Sequence, residues 1–212
     1  KPLSPNYKDS LAIVEAFEKH KTPLFVAYYR RSLPRFEQVK NWIDKNYIGK
    51  IRHINWQLSK SASEIDLSNQ YYWRTDAKVA PGGYFDDLAS HGLDLFTYYL
   101  GDIAEAKGIS VNQQNLYTAK DAIVACWLHK GGITGTGNWN FGSNLNNDKV
   151  TVYGSEGTIE FSVFDDAPVV LNSKNKQENL FIEHPENVQF FHVKNMRVFL
   201  FESLDIFLVL RK

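Results

Sequence analysis

Residues 82–95 read GGYFDDLASHGLDL, and within them Asp87 and His91 stand four residues apart behind a Gly-Gly pair. On a helix that spacing puts a carboxylate and an imidazole on one face. An imidazole titrates near neutrality and can exchange a proton with a substrate hydroxyl. A carboxylate one turn away orients it or hydrogen-bonds the substrate. Glycine lets a backbone approach a ligand closely, and the free N–H groups of a helix N-terminus favour anionic oxygens. The same spacing also fits a capping acid and a surface histidine on a solvated face. As metal ligands the pair lacks a third partner. Cys126 and His129 are three apart in a strand-like run and so face opposite sides, and no metal site is expected. Cys126 reads as a small buried residue. His20, His53, His184 and His192 have no helical or strand partner that marks a site.

A helix over residues 84–100 positions the pair. Phe85, Leu88, Leu93, Phe96 and Leu100 give it an apolar surface, and Asp87, His91, Asp94 and Tyr98, spaced 4, 3 and 4, give it a polar stripe. Upstream, residues 9–19 read as a helix with Asp9 at its N-cap, residues 22–29 (TPLFVAYY) as a short buried strand, and residues 33–46 as a second helix with Gly49 beyond it. Helix, strand, helix suggests the end of an α/β unit. The character changes at Ile51. IRHINWQLS reads as a strand, and residues 61–80 are polar and irregular with YYWR inside them. After Gly101 come strand candidates at 103–112, 122–129, 133–141, 149–153 and 158–163. The alternation is clearest where Ile133, Gly135, Gly137, Trp139 and Phe141 oppose Thr134, Thr136, Asn138 and Asn140. GSEG (154–157) makes a tight connection. The expected class is α+β, a mostly antiparallel open-faced sheet with helices on one face.

Bulk composition narrows the function. The chain has 212 residues, 43% hydrophobic and 14% aromatic, enough for a substantial core. Lys+Arg and Asp+Glu stand at 24 each, so no net field favours nucleic acid. One cysteine excludes an internal disulfide framework and fits a reducing compartment. No signal-peptide pattern opens the chain, and its longest apolar run, 206–210, is too short to span a bilayer. The expectation is a soluble, cytoplasmic protein with no membrane partner. The chain begins at Lys1 without Met, which points to a fragment or a processed product.

These residues stand in a recognisable order: an opening KP, then LFVAYYRRSLPRFEQVKNWIDKNYIGKIRHI, YYWR, GGYFDDLASHGLDLFTYYLG and VTVYGSEGTIEF. The order resembles the glucose-fructose oxidoreductase / inositol dehydrogenase / MocA-like family, over roughly residues 1–189. The resemblance implies that residues 1–50 close a Rossmann-type dinucleotide-binding domain and that residues 51–212 form a substrate-binding and oligomerisation domain. It implies hydride transfer between a sugar or polyol hydroxyl and NAD or NADP. Lys1 resembles the lysine of the family's Glu-Lys-Pro motif, beside nicotinamide and substrate, with Pro2 next to it on the cofactor side. Asp87 and His91 resemble the Asp-x-x-x-His pair, the histidine as general base and the aspartate supporting it. Trp73 and Arg74 resemble a pair that lines the substrate pocket, and Tyr29 and Arg30 lie in the segment at the mouth of the cleft.

The sequence also departs from that pattern. None of the thirteen glycines makes a Gly-x-Gly-x-x-Gly turn, and no Glu precedes Lys1. The phosphate site is therefore expected outside this chain, which alone is expected to be inactive. Residues 190–212 lack the polar face of the family's final helix. Two other readings stay open on the same scaffold: a non-catalytic dinucleotide or sugar sensor, and an oligomerisation module. In the second, Val124, Trp139 and Phe161 help bury the open sheet face in a homodimer or homotetramer.

Overall fold

The structure is a computed structural model that describes residues 3–68 and 70–186. The expectations for Lys1, Pro2 and residues 190–212 lie outside the described residues. The elements in chain order are α1 (Tyr7–Lys19), a 3₁₀ turn (Tyr29–Ser32), α2 (Pro34–Asp44), β1 (Ile51–Ser59), α3 (Glu64–Leu67), a 3₁₀ turn (Trp73–Thr75) and α4 (Tyr84–Leu100). Seven strands follow: β2 (Ile103–Val111), β3 (Ala122–His129), β4 (Thr134–Asn140), β5 (Asn147–Gly154), β6 (Gly157–Phe161), β7 (Val169–Ser173) and β8 (Gln177–Leu180).

Local chemistry sets the helix ends. Asn6, not Asp9, caps α1: its side chain accepts from the Asp9 backbone N–H, and Asp9 sits in the first turn. Pro34 opens α2 at a position where no N–H is needed. Glycines in the left-handed region bound α4, Gly83 at φ 60° and Gly101 at φ 83°. A side chain at Gly83 would also meet the Lys120 carbonyl at 2.7 Å.

The eight strands form one sheet in the order β2-β3-β4-β1-β5-β6-β7-β8. β1 runs parallel to β4, and every other neighbouring pair is antiparallel. The inward face meets α4 and α2. Trp56 of β1 lies edge-on to Phe96 of α4 at 5.6 Å and to Trp139 of β4 at 5.5 Å. Gly135 and Gly137 point inward as their alternation predicts. A Cβ at either would fall within 2.3 Å of the Trp127 or Trp139 ring, so both make room for indoles. Buried His129 ties the end of α4 to β3: its Nε2 accepts from Trp127 and its Nδ1 donates to the Gly101 carbonyl at 2.7 Å. The α+β reading holds.

Four further particulars differ from expectation. Residues 22–28 form neither helix nor strand and pair with no strand among the described residues. They are half-exposed and close into the Tyr29–Ser32 turn, because an apolar run becomes a strand only when a neighbour supplies its ladder. β7 and β8 appear where no alternation is long enough to read. Trp139 and Phe161 are buried on the helix side and cannot cover the open face; Val124, at 51% exposure, does lie there. Cys126 is exposed on that face, since it shares the parity of Val124 and Leu128.

Candidate functional site

The site begins at the closest approach of α4 to the sheet. A side chain at Gly92 would meet the Trp56 ring at 2.4 Å, so only glycine lets the helix settle on that indole. This seats His91, 7% exposed, inside an aromatic box. Tyr28 and Tyr29 approach it edge-on, with ring centroids 5.9 and 5.7 Å away, and Phe164 does so at 6.1 Å.

Three buried charges hold the segment that carries Phe164. Arg30 donates from Nη1 to the Val163 carbonyl at 2.6 Å, and its guanidinium stands 4.5 Å over the Phe164 ring and 5.3 Å over Tyr29. Arg35, 1% exposed, donates to the Asp165 and Ala167 carbonyls at 2.9 and 2.6 Å. The Asp148 carboxylate accepts from the Phe164 and Asp165 backbone N–H groups with one oxygen and from the Trp56 indole with the other. Burial lowers the pKa of both arginines and raises that of Asp148, the latter against the pull of these N–H donors.

A second cluster stands one helical turn N-terminal to His91. Arg74 donates from Nε to Asp87 at 2.8 Å and from Nη1 to the Tyr72 hydroxyl at 2.5 Å, and its guanidinium lies 4.4 Å over the Trp73 ring. Leu3, Ser4 and Pro5 join Trp73, Arg74 and Asp87 in lining a cleft of about 260 Å³. A larger cleft of about 550 Å³ is lined by Tyr71, Tyr72 and Tyr117 but contains neither Asp87 nor His91. The smaller cleft is lined by Arg74 and Asp87, with His91 one helical turn beyond its lining, while the larger is lined by none of the three. At the other end of the stripe Asp94 accepts both donors of the Arg31 fork, at 2.7 and 2.5 Å, and Arg31 lies over Tyr98. Burial raises the Asp94 pKa even though Arg31 pulls it down, while the bond to Asp94 raises that of Arg31. At Asp94 desolvation outweighs the pairing, and at Arg31 the pairing outweighs desolvation.

The structure therefore gathers Trp73, Arg74 and Asp87 into one cluster and Tyr29 with His91 into a second. Arg30 sits behind Tyr29 and Phe164, 8% exposed. Sequence reading missed Tyr28, Phe164, Asp148 and Arg35. The partners of both arginines lie some 130 residues away along the chain, so no local pattern announces them. Among the described residues no three potential metal ligands converge, and no helix is long and apolar enough to cross a membrane. Gly135 and Gly137, packed against indoles, leave no cradle for phosphates.

Known proteins share this fold. Residues 36–160, more than half of the chain, match the GFO/IDH/MocA C-terminal domain. The chain is 30% identical over 190 residues to "Oxidoreductase P35" of Formosa agariphila, covering 89% of this chain and 58% of that protein. It is 26% identical over 180 residues to the myo-inositol 2-dehydrogenase of Thermotoga maritima, covering 82% and 51%. Its fold superposes on levoglucosan dehydrogenase in complex with NADH and levoglucosan with a TM-score of 0.75 at 18% identity, over 89% of this chain and 56% of that one. The chain thus spans little more than half the length of each of these three proteins. On the residues matched and the identity shared with its relatives, the chain belongs to the GFO/IDH/MocA family, whose C-terminal domain it carries.

Proposed function

We propose that this chain supplies the substrate-binding and proton-transferring part of an NAD(P)-dependent oxidoreductase acting on a CH–OH group of a sugar or polyol. Residues 1–50 then close the dinucleotide-binding half and residues 51–212 form the substrate domain. The observation that carries the reading is the pairing of buried, aromatic-boxed His91 with the Arg74–Asp87 cluster one turn away, in a chain whose relatives include a myo-inositol dehydrogenase.

Each side chain has a task. His91 takes the hydroxyl proton as the carbon is oxidised and returns it in the reverse direction. Asp87, held by Arg74, accepts a hydrogen bond from a neighbouring hydroxyl and fixes the ring's rotation. The Trp73 face and Tyr29 offer apolar surface to a sugar ring and narrow the water around it. Lys1, with Pro2 next to it in the sequence, stabilises charge growing on the reacting oxygen. Arg30 supports Tyr29 from behind. NAD(P), when bound, supplies the hydride acceptor. The residues described here fit the substrate end of that reaction, and none is assigned to the dinucleotide phosphates. The single cysteine supports a cytoplasmic setting, and the exposed Val124 and Leu128 support docking of a second copy on the open sheet face.

The test is turnover of a sugar and polyol panel by the complete gene product, followed through reduced nicotinamide. His91→Asn should lower kcat by about 10²–10⁴-fold, the usual worth of a positioned general base. Full activity in that variant would overturn the assignment. The 212-residue chain by itself should give no saturable NADH binding.

A further inference from the structure

We propose that Asp148 is a positioning residue for His91, acting through Phe164; this rests on the reading of His91 as the proton-transferring group. Asp148 touches neither the imidazole nor the cleft. It is 5% exposed at the start of β5, and both its oxygens are occupied by N–H donors. One oxygen takes the Trp56 indole, on whose ring Gly92 rests. The other takes the Phe164 N–H at 2.5 Å and the Asp165 N–H at 3.3 Å. The Asp148 carbonyl accepts from buried Ser162 at 2.6 Å, a further tie to the same segment. One carboxylate therefore links the floor beneath residue 92 of α4 to the wall beside residue 91.

The chemistry of the site requires an ionised carboxylate. An amide at position 148 offers one acceptor oxygen and turns an NH₂ toward an N–H donor on the other side, so one link is lost. A hydrophobic residue of similar size loses both. Charge also favours a carboxylate, because Arg30 and Arg35 converge on the same 163–167 segment and the Asp148 charge acts on both, beside Asp166, which pairs with Arg35 at 3.7 Å. Loss of either link lets Phe164 drift from the imidazole. A misplacement of about 1 Å at a reacting group can cost about a hundredfold in rate.

Two readouts test this, and only one depends on turnover. The first is the His91 ring proton signal in the NMR spectrum, assigned among the six histidines by its loss in His91→Asn. Phe164 stands edge-on to that ring, so Phe164→Ala defines the shift caused by losing the wall. Asp148→Asn should move the His91 signal part of the way in the same direction and leave buried His129 where it is. The second is kinetic: Asp148→Asn should lower kcat about tenfold or more with KM within about twofold, and add nothing further when Phe164 is already alanine. An unmoved His91 signal, or effects of the two substitutions that simply add, overturns the proposal. If the wild type shows no dehydrogenase activity, the functional reading falls while the NMR result still decides the positioning. Should Asp148→Asn fail to fold, Ser162→Ala loosens the same segment more gently and must produce a smaller shift of the same sign, or the proposal fails.

Discussion

Arg74 donates to Asp87 at 2.8 Å, with both side chains about one-third exposed. The carboxylate one turn before His91 is thereby fixed from the YYWR turn. At that exposure the pair adds less than about 1 kcal/mol to stability. Its value lies in orientation. Arg74→Ala should leave the melting temperature nearly unchanged and lower kcat/KM about ten- to a hundredfold, the range of a lost hydrogen bond to a charged group. Asp87→Asn, which keeps the shape and loses the charge, should fall between that variant and wild type. A large fall in melting temperature for Arg74→Ala would make the pair structural instead.

Gly92 faces a ring that cannot yield. Trp56 is fully buried and its indole nitrogen is held by Asp148. A methyl at 92 would lie 2.4 Å from the ring, so α4 must lift away from the sheet. Overpacking of this kind costs about 1–3 kcal/mol. The better helix propensity of alanine returns up to about 1 kcal/mol. Urea unfolding of Gly92→Ala should show a net loss of stability, with kcat reduced more than KM because His91 moves with the helix. A stabilised variant would contradict the close packing of α4 on Trp56.

Two histidines link stability to pH. Burial lowers the pKa of His53, whose ring nitrogens meet the Thr134 and Thr136 hydroxyls, and that of His184, with Arg35 and Arg30 adding to the effect there. The unfolded chain holds these protons more tightly than the folded one. Their contribution is thus complete above the usual value of 6.5 and is lost as pH falls through the lowered folded values. Asp94 and Asp148, raised by burial, work in another window with the opposite sense. Their contribution is complete below the usual value of 3.8 and is lost as pH rises through the folded values. Melting temperatures should decline from about pH 7.5 to about pH 5.5, and His53→Gln/His184→Gln should flatten that decline. An unchanged slope would remove both histidines from the explanation.

Much of this molecule could be read from its residues. The limits of α4, the strand at Ile51 and the alternation around Trp139 were all legible, because each is written in a local period of 3.6 or 2 and bounded by glycine. Asp87 and His91 were visible for the same reason. What escaped was contact between distant segments. No spacing tells that Arg30 meets residue 163, or that Asp148 joins Trp56 to Phe164. The reading of 22–29 as a strand failed because strand formation depends on a neighbour. Assigning Trp139 and Phe161 to the open face failed because alternation gives two sides without saying which one the helices cover.

The parallel pairing of β1 with β4 has a consequence for how the protein is made. β1 ends at Ser59, yet its two neighbours are Thr134–Asn140 and Asn147–Gly154. During synthesis it must wait unpaired until residue 140 has left the ribosome, and it is flanked on both sides only after residue 154 has followed. Such long-range closure slows folding and leaves an apolar strand, Ile54, Trp56 and Leu58 together, open to wrong partners in the interval. The same strand carries the indole on which α4 rests. Maturation of the pocket around His91 therefore waits for β5 to join the centre of the sheet and for Phe164 to follow it.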